Sequence, residues 1–590
     1  MKKEVLLILW DIILEKYKIE KDDLKLSIPP KGTFWDFSFN WGVLARDLRK
    51  NPNIIVEEIK EFLDIEIKNK KWFIIESSEI SGAYLNIKIN NNIFTEQLLK
   101  FIEDDEFEEL REKNSEETIL IDYIWANVWK PMHIGHMCTP NQGQAMINIY
   151  KKLWFDVISD SHIWDWGIIF GKLILAYKKW WNEDKLKENA VEHLLELYIK
   201  ITEEAEKDID FEDSIRKEFQ KLSKGDLESV KLWESFTKES IIAMNKQLGR
   251  LNVKPDFNIG ESFYEWLNLP KIENYPNLKF SMKEIVKELI ENNIATKNDD
   301  NSVWIEFSKE SKITSCILQK RDWTHWYLAS DLASIKYRVE NWNPVKIIYF
   351  VDSRQQLHLR QTFEVARKAN WVENIELFHA YNWFISLKDW AMSTRKGRII
   401  KLDKLLDEAE LRAEKIILEK RDDIKWSELK ELSKIIWIWA IKYWYLKKNR
   451  ESDVIFDWDE FMSFEGNSGP YIQYAYVRSI RILEKANFKF SDSIEKQKIS
   501  LIENEEIELI KKILEYKNIL IESTKNNYPH ILAWYSYELT KTFNNFYNNV
   551  HIISEKNEYL RKLKLNLVKE FGIILKESFE LLWIEMPEKM

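Results

Sequence analysis

Residues 118–153 constrain the fold more tightly than any other stretch of the chain. The run TILIDYI (118–124) has the length and apolar, β-branched character of a buried strand, and from about residue 140 to residue 153 the pattern becomes helical. Between them lies ANVWKPMHIGHM (126–137), where the chain turns through Gly135. A strand that turns directly into a helix leaves free N–H groups and a positive dipole end above the sheet, where they suit a phosphate. His133 and His136 add imidazole donors to the same turn. Shorter strand-like runs, DVISDSH (156–162) and VKIIYFVD (345–352), alternate with helical segments, which is the pattern of a parallel α/β domain.

Taken alone, the tetrapeptide HIGH also fits a metal-binding histidine pair or ordinary surface histidines. A second segment, MSTRKG (392–397), narrows the choice. Its Arg395 and Lys396 suit a loop that clamps a triphosphate and stabilises charge on departing pyrophosphate, although by itself it reads equally as a solvated basic loop.

At 590 residues the chain has room for three or four domains of roughly 100 to 200 residues each. Residues 1–110 read as an α+β unit. Residues 115–400 read as the α/β domain, with a charged helical insertion near 181–250. Residues 401–590 are almost wholly helical, with a core at 465–590. A net charge of −10 argues against indiscriminate coating of nucleic acid, which needs clustered Lys and Arg. Only Cys138 and Cys316 are present, too few for a disulfide framework or a Cys-based zinc site, so a reducing, cytoplasmic setting is expected. Asp11 interrupts the apolar N-terminal run, which reads as an amphipathic helix rather than a signal peptide. No run approaches the ~18 to 20 apolar residues of a membrane span.

Glycine accounts for 14 of 590 residues, about a third of the usual share of roughly 7%, while tryptophan reaches 27. Eight of the tryptophans (41, 166, 323, 342, 371, 383, 390 and 458) follow Asn or Asp, and Asn-Gly or Asp-Gly is what tight turns prefer. Two readings follow. Either the gene uses UGA for glycine and has been written out with UGA as tryptophan, or the protein is genuinely rich in tryptophan; the codons at 129, 164 and 390 separate them.

The HIGH and MSTRKG segments together resemble the signature pair of class I aminoacyl-tRNA synthetases. The rest of the chain resembles the arginyl-tRNA synthetase family nearly end to end, through DYIWANVWKPMHIGH, DSHIWDWGIIFGKL, GESFY, RDWTHWYLASDLA, YFVDSRQQLHL, FEGNSGPYIQYAYVRSI, FNNFYNN and the terminal LLWIEMPEKM. Several of these match only if Trp125, Trp129, Trp164, Trp323, Trp326, Trp383, Trp390, Trp437, Trp439 and Trp583 stand for glycine, whereas Trp166 and Trp458 match as tryptophan.

The resemblance implies a Rossmann-like catalytic domain, an N-terminal α+β appendage contacting tRNA, with FWDFSFN (34–40) its most recognisable piece, and an all-α anticodon-binding domain. It implies an arginine pocket of Asp122, Asn127, Tyr327, Asp331 and Gln355. This is chemically sensible, because a guanidinium has five N–H donors and wants carboxylate or amide acceptors. It implies ATP at His133, Gly135 and His136, with His358 nearby and Met392 in the signature loop, and Mg2+ accompanying the ATP. Ala391 departs from the family, where a lysine often precedes Met-Ser; Lys130, just before the HIGH turn, and Lys396 are the expected transition-state cations. Ile169 stands where many members have Gln and is assigned no role. Tyr471, Gln473, Tyr474 and Arg478 are expected at the tRNA, where bases stack on aromatic faces. The implied partners are tRNA(Arg), L-arginine and ATP, with no protein-bound zinc, no membrane and a monomeric state. A class I synthetase for another amino acid is one alternative. A non-catalytic RNA-binding homologue is the other, favoured if the active-site tryptophans are literal.

Overall fold

The computed structural model describes residues 2–18, 26–27, 29, 35–69, 74–103, 107–180, 182–207, 209–265, 275–321, 327–383, 385–387, 400–420, 424–458, 460, 463, 465–488 and 503–588. The segments 322–326 and 388–399, with Trp323, Trp326, Trp390, Met392 and Lys396, lie outside them. Contacts divide the chain into two units, one of residues 1–106, 481–516 and 541–571, the other of 107–480, 517–540 and 572–590.

In the larger unit four parallel strands form one sheet: β1 (Thr118–Asp122), β2 (Asp156–Asp160), β3 (Lys346–Tyr349) and β4 (Glu376–His379), in the order β4-β3-β1-β2. Ile119, Leu120, Ile121, Ile347 and Ile348 are buried, and a parallel sheet covered on both faces explains why these strands read as unbroken apolar runs. The order reverses between β1 and β3, so the crevice beyond their C-terminal ends is the topological switch point where such folds take ligands.

The helix Cys138–Lys152 follows β1 and packs close to the chain beyond it: a Cβ on Gly143 would lie 2.4 Å from the Tyr123 side chain. Residues 181–250 hold three helices, Glu183–Ala205, Ile209–Ser223 and Leu227–Arg250. Asn182 and Asp226 cap the first and third by accepting from the N–H groups of Lys185 and Ser229. Trp166 packs edge-on against Phe219 and Trp233 of the second and third.

The strand register sets Asp122 beside Asp160, two carboxylates at the ends of neighbouring strands. Arg338, from the helix Tyr327–Trp342, lies between them. Its Nη2 donates to Asp122 Oδ2 at 2.7 Å and to Asp160 Oδ2 at 2.8 Å, and all three side chains are fully buried. Burial pushes the Asp160 carboxyl up to about 6 against the pull of Arg338, and Asp122 adds to the push.

The smaller unit contains the helices Lys2–Tyr17, Pro52–Asn69 and Asn91–Glu103 and an antiparallel sheet in which Tyr84–Ile89 lies between Phe37–Asn40 and Ile75–Ser81. Asp36 at the start of this sheet is buried, accepts from the Ile89 N–H at 2.7 Å and pairs with Lys88 and Lys511. No helix among the described residues is long and apolar enough to cross a membrane.

Replacing Arg338 by Leu leaves two uncompensated buried carboxylates. The expected loss of stability is about 3–5 kcal/mol, read by chemical denaturation. Adding Asp160→Asn to Arg338→Leu is expected to recover part of it.

Candidate active site

The described site residues gather at the C-terminal end of the sheet. From the loop after β1 come Asn127, Lys130, His133 and His136; from the turn after β2, His162; from the turn after β3, Gln355; from the helix Gln356–Lys368 that follows it, His358; and from the helix Tyr327–Trp342, Tyr327 and Asp331.

The His133 turn is built on its own imidazoles. His133 caps the short helix Ile134–Met137: its Nδ1 accepts from the Gly135 N–H at 3.1 Å, and His136 Nδ1 accepts from the His133 N–H at 3.1 Å. The rings lie 3.9 Å apart. With both Nδ1 atoms accepting, the proton of each neutral ring sits on Nε2, leaving two N–H donors for a ligand. Burial, then Arg354 and Lys130, hold His133 down to about 4; burial, then His133 and Arg354, hold His136 well below its ordinary value. Gly135 is required because a Cβ there would lie 2.9 Å from the His133 ring.

The chain that follows MSTRKG pairs with this turn. Ile134 N–H donates to the Ile400 carbonyl, Leu402 N–H donates to the Met132 carbonyl, and His133 bridges Lys401. Residues 400–402 thus lie against the turn; residues 392–397 are outside the described part.

A second, acidic cluster is built by the helix Tyr327–Trp342, the turn after β2 and Glu261. Asp331 is 4% exposed; its Oδ2 lies 2.5 Å from His358 Nε2 and its Oδ1 3.4 Å from His162 Nε2. Burial pushes the Asp331 carboxyl up, but the imidazoles of His358 and His162 more than offset it and hold the group below its usual range. Glu261 Oε1 stands 3.8 Å from the same His162 nitrogen. Burial works against charge on His162, and Asp331 and Glu261 overcome it, pushing the group up to about 9. Burial pushes Glu261 itself up to about 7, against the pull of His162. Asp331 Oδ1 and His162 Nε2 are buried without a hydrogen-bond partner. The two face each other at 3.4 Å as an ion pair without a hydrogen bond, so Asp331 Oδ1 retains acceptor capacity that a ligand N–H can fill.

Glu261 and His162 fall in segments that carry the family resemblance, but nothing in their spacing marks them as site residues. Gly260 sets Glu261 in place: a Cβ there would meet the Asp165 carboxylate at 2.2 Å, and Asp165 accepts from the Ser262 N–H and hydroxyl.

Other expected residues are placed differently from one another. Asp122 is committed on both oxygens, Oδ2 to Arg338 and Oδ1 to the Trp125 indole N–H at 2.8 Å, so it does not face the crevice as an open acceptor. Asn127 and Gln355 are half-buried, Asn127 bridging Trp164 and Gln355 ending the short helix Ser353–Gln355. Tyr327 is exposed at the start of its helix and stacks on Trp164. His358, expected with ATP, stands against Asp331. Trp129 does not obstruct the loop: its buried indole packs at a tilt against Tyr198 of the helix Glu183–Ala205, and Lys130 Nζ lies 4.3 Å from its ring centroid.

On the helix Gly469–Lys485, Arg478 lies over the exposed Tyr474 ring at 5.0 Å, as i, i+4 spacing allows. Tyr471 is half-buried near Tyr537. Gln473, expected at the tRNA with them, is fully buried.

A switch-point sheet with this histidine turn defines the catalytic domain of a class I tRNA synthetase. A family model described as "tRNA synthetases class I (R), catalytic domain" matches residues 100–458; "Arginyl tRNA synthetase N terminal domain" matches 3–89 and "DALR anticodon binding domain" 472–590. The arginine–tRNA ligase of Fusobacterium nucleatum is 34% identical over 97% of this chain and 96% of that protein, and that of Clostridium perfringens 35% identical over 98% and 97%. The chain belongs to the arginyl-tRNA synthetase family. Two solved arginyl-tRNA synthetases share its fold. That of Plasmodium falciparum has a TM-score of 0.80 at 24% identity, covering 100% of this chain and 99% of that one; that of Thermus thermophilus has a TM-score of 0.77 at 21% identity, covering 100% of both.

The histidine turn yields a pH prediction. A folded value near 4 against 6.5 for His133 means that its contribution to stability is full above pH 6.5 and is lost as pH falls toward 4. Replacing His133 by Asn keeps a cap acceptor but removes the titration and the Nε2 donor. Denaturation between pH 4 and 7 is expected to show a shallower slope for H133N, by up to a few kcal/mol across the window. Adenylate formation is expected to fall by roughly 10²-fold at pH 7.

Proposed function

We infer that the chain is an arginine–tRNA ligase in which the cluster around Asp331 receives the arginine guanidinium and the His133 turn receives ATP. The observation that carries this reading is the buried Asp331 carboxylate, whose Oδ1 makes no hydrogen bond and has His162 at 3.4 Å with Glu261 against the same histidine, at the end of the sheet that also carries the His133 turn. Tyr327, Asn127 and Gln355 complete the arginine contacts, and Asp122 acts chiefly by orienting Arg338 and the loop after β1.

In the first step an arginine carboxylate oxygen attacks the α-phosphorus of ATP. A new P–O bond forms, the bond to the β,γ-pyrophosphate breaks, and pyrophosphate leaves with the electron pair. His133 and His136 donate Nε2–H bonds to phosphate oxygens as charge builds on them, and Lys130 and Lys396 support the leaving group, with Met392 marking the signature loop that serves ATP. In the second step the terminal ribose 2′-hydroxyl of tRNA(Arg) attacks the arginyl carbonyl and AMP departs. No side chain forms a covalent bond, so rate comes from positioning and electrostatics.

Among the described residues no group of three or more His, Cys, Asp or Glu side chains could hold a metal ion. Mg2+ enters with ATP as part of the substrate. Residues 1–110 and 401–590 flank the catalytic segment 115–400 and carry tRNA contacts, with Tyr474 and Arg478 as one surface pair and Tyr471 beside them. The enzyme works as a cytoplasmic monomer.

Pyrophosphate exchange measured with each proteinogenic amino acid tests this. Exchange is expected with arginine alone and only when tRNA(Arg) is present. Exchange with a different amino acid, or with none, contradicts the assignment.

A further inference from the structure

Four observations on tryptophan converge. Trp154 and Trp583 adopt left-handed backbone, with φ of 68° and 61°. Each directly follows the last capping residue of a long helix and completes the same two-bond motif. Phe155 N–H donates to the Tyr150 carbonyl and Trp154 N–H to that of Lys151; Ile584 N–H donates to the Phe579 carbonyl and Trp583 N–H to that of Glu580. This is the C′ position of a Schellman motif, where the left-handed conformation favours glycine and a bulky side chain is an outlier. The other left-handed non-glycine residues among those described are mostly asparagine, which tolerates it.

Buried indoles give a second sign. The N–H groups of Trp41 and Trp437 are buried without an acceptor, whereas those of Trp233 and Trp444 donate to the Asp165 carbonyl and the Glu460 carboxylate. Buried tryptophans ordinarily find a partner.

The third and fourth signs lie in the crevice. Trp125 donates its indole N–H to Asp122 and sets its ring 4.8 Å from His162; Trp164 stands edge-on to Trp125 and stacks on Tyr327, each at 6.3 Å. The two indoles therefore occupy the side of the crevice bounded by Asp122, His162 and Tyr327. Trp164 has a backbone role that needs no side chain, since its N–H donates to the Ala126 carbonyl and it bridges Asn127.

We propose that positions 125 and 164 determine whether the amino-acid pocket is open, and that the polypeptide made in its own cells carries glycine there and at 154 and 583, encoded by UGA. This rests on the assignment of the Asp331 cluster to arginine. With glycine at 125 and 164, Asp122 Oδ1 and the faces of His162 and Tyr327 are released to a guanidinium; with tryptophan, the indoles fill that space.

The test has three arms. The gene is expected to show UGA at codons 125, 154, 164 and 583, and UGG there overturns the proposal. W125G/W164G is expected to bind L-arginine at least tenfold more tightly than the tryptophan form by equilibrium dialysis, and to lower KM for arginine while leaving KM for ATP unchanged. Equal arginine affinity in the two forms overturns it. W154G/W583G, away from the crevice, is expected to raise Tm by several degrees, and a lowered Tm counts against glycine at those positions. Exchange with arginine that is equal in both pocket forms sinks this proposal alone; the absence of arginine exchange from both forms sinks the arginine assignment instead.

Discussion

The site depends on a single buried cation. Arg338 joins the end of β1 to the end of β2 and fixes both to the helix that carries Tyr327 and Asp331. A guanidinium bridging two carboxylates is suited to this because its planar fork can serve both while desolvated. A buried ion cluster is a poor source of net stability, since removing charges from water offsets most of the attraction. What Arg338 supplies is geometry: the loop with His133, the turn with His162 and the helix with Asp331 are held to one another at the crevice.

Electrostatics at the crevice divides into two zones. At the His133 turn, burial and nearby cations keep both imidazoles neutral, so they act as N–H donors of fixed tautomer. Around Asp331, the carboxylates reverse the effect of burial and hold His162 charged. The turn thus offers hydrogen-bond donors suited to phosphate, while the second zone gets its suitability for a guanidinium from the Asp331 and Glu261 carboxylates.

The strand, the histidine turn and the following helix were legible in sequence because each is a local pattern. Tyr327 and Asp331 were legible because their segment has family-like spacing and a shared helix face. Arg338 was not: an arginine inside a helix reads as a solvated ion pair, and its partners lie more than a hundred residues earlier in the chain. Glu261 and His162 went unassigned because their meeting depends on the tight approach of Gly260 to Asp165, which no spacing reveals. The burial of Gln473 was not legible because aromatic and polar residues on one helix say little about which face is buried. The tryptophan surplus was visible in composition, but only the left-handed caps and the filled crevice give it structural content.

The most direct test of the account is the structure of the W125G/W164G chain with a non-hydrolysable arginyl-adenylate analogue. The guanidinium is predicted within about 3 Å of Asp331 Oδ1 and beside Glu261, with the phosphate analogue at hydrogen-bond distance from the imidazole Nε2 atoms of His133 and His136. A guanidinium bound away from Asp331, or a phosphate group bound away from the histidine turn, would contradict it.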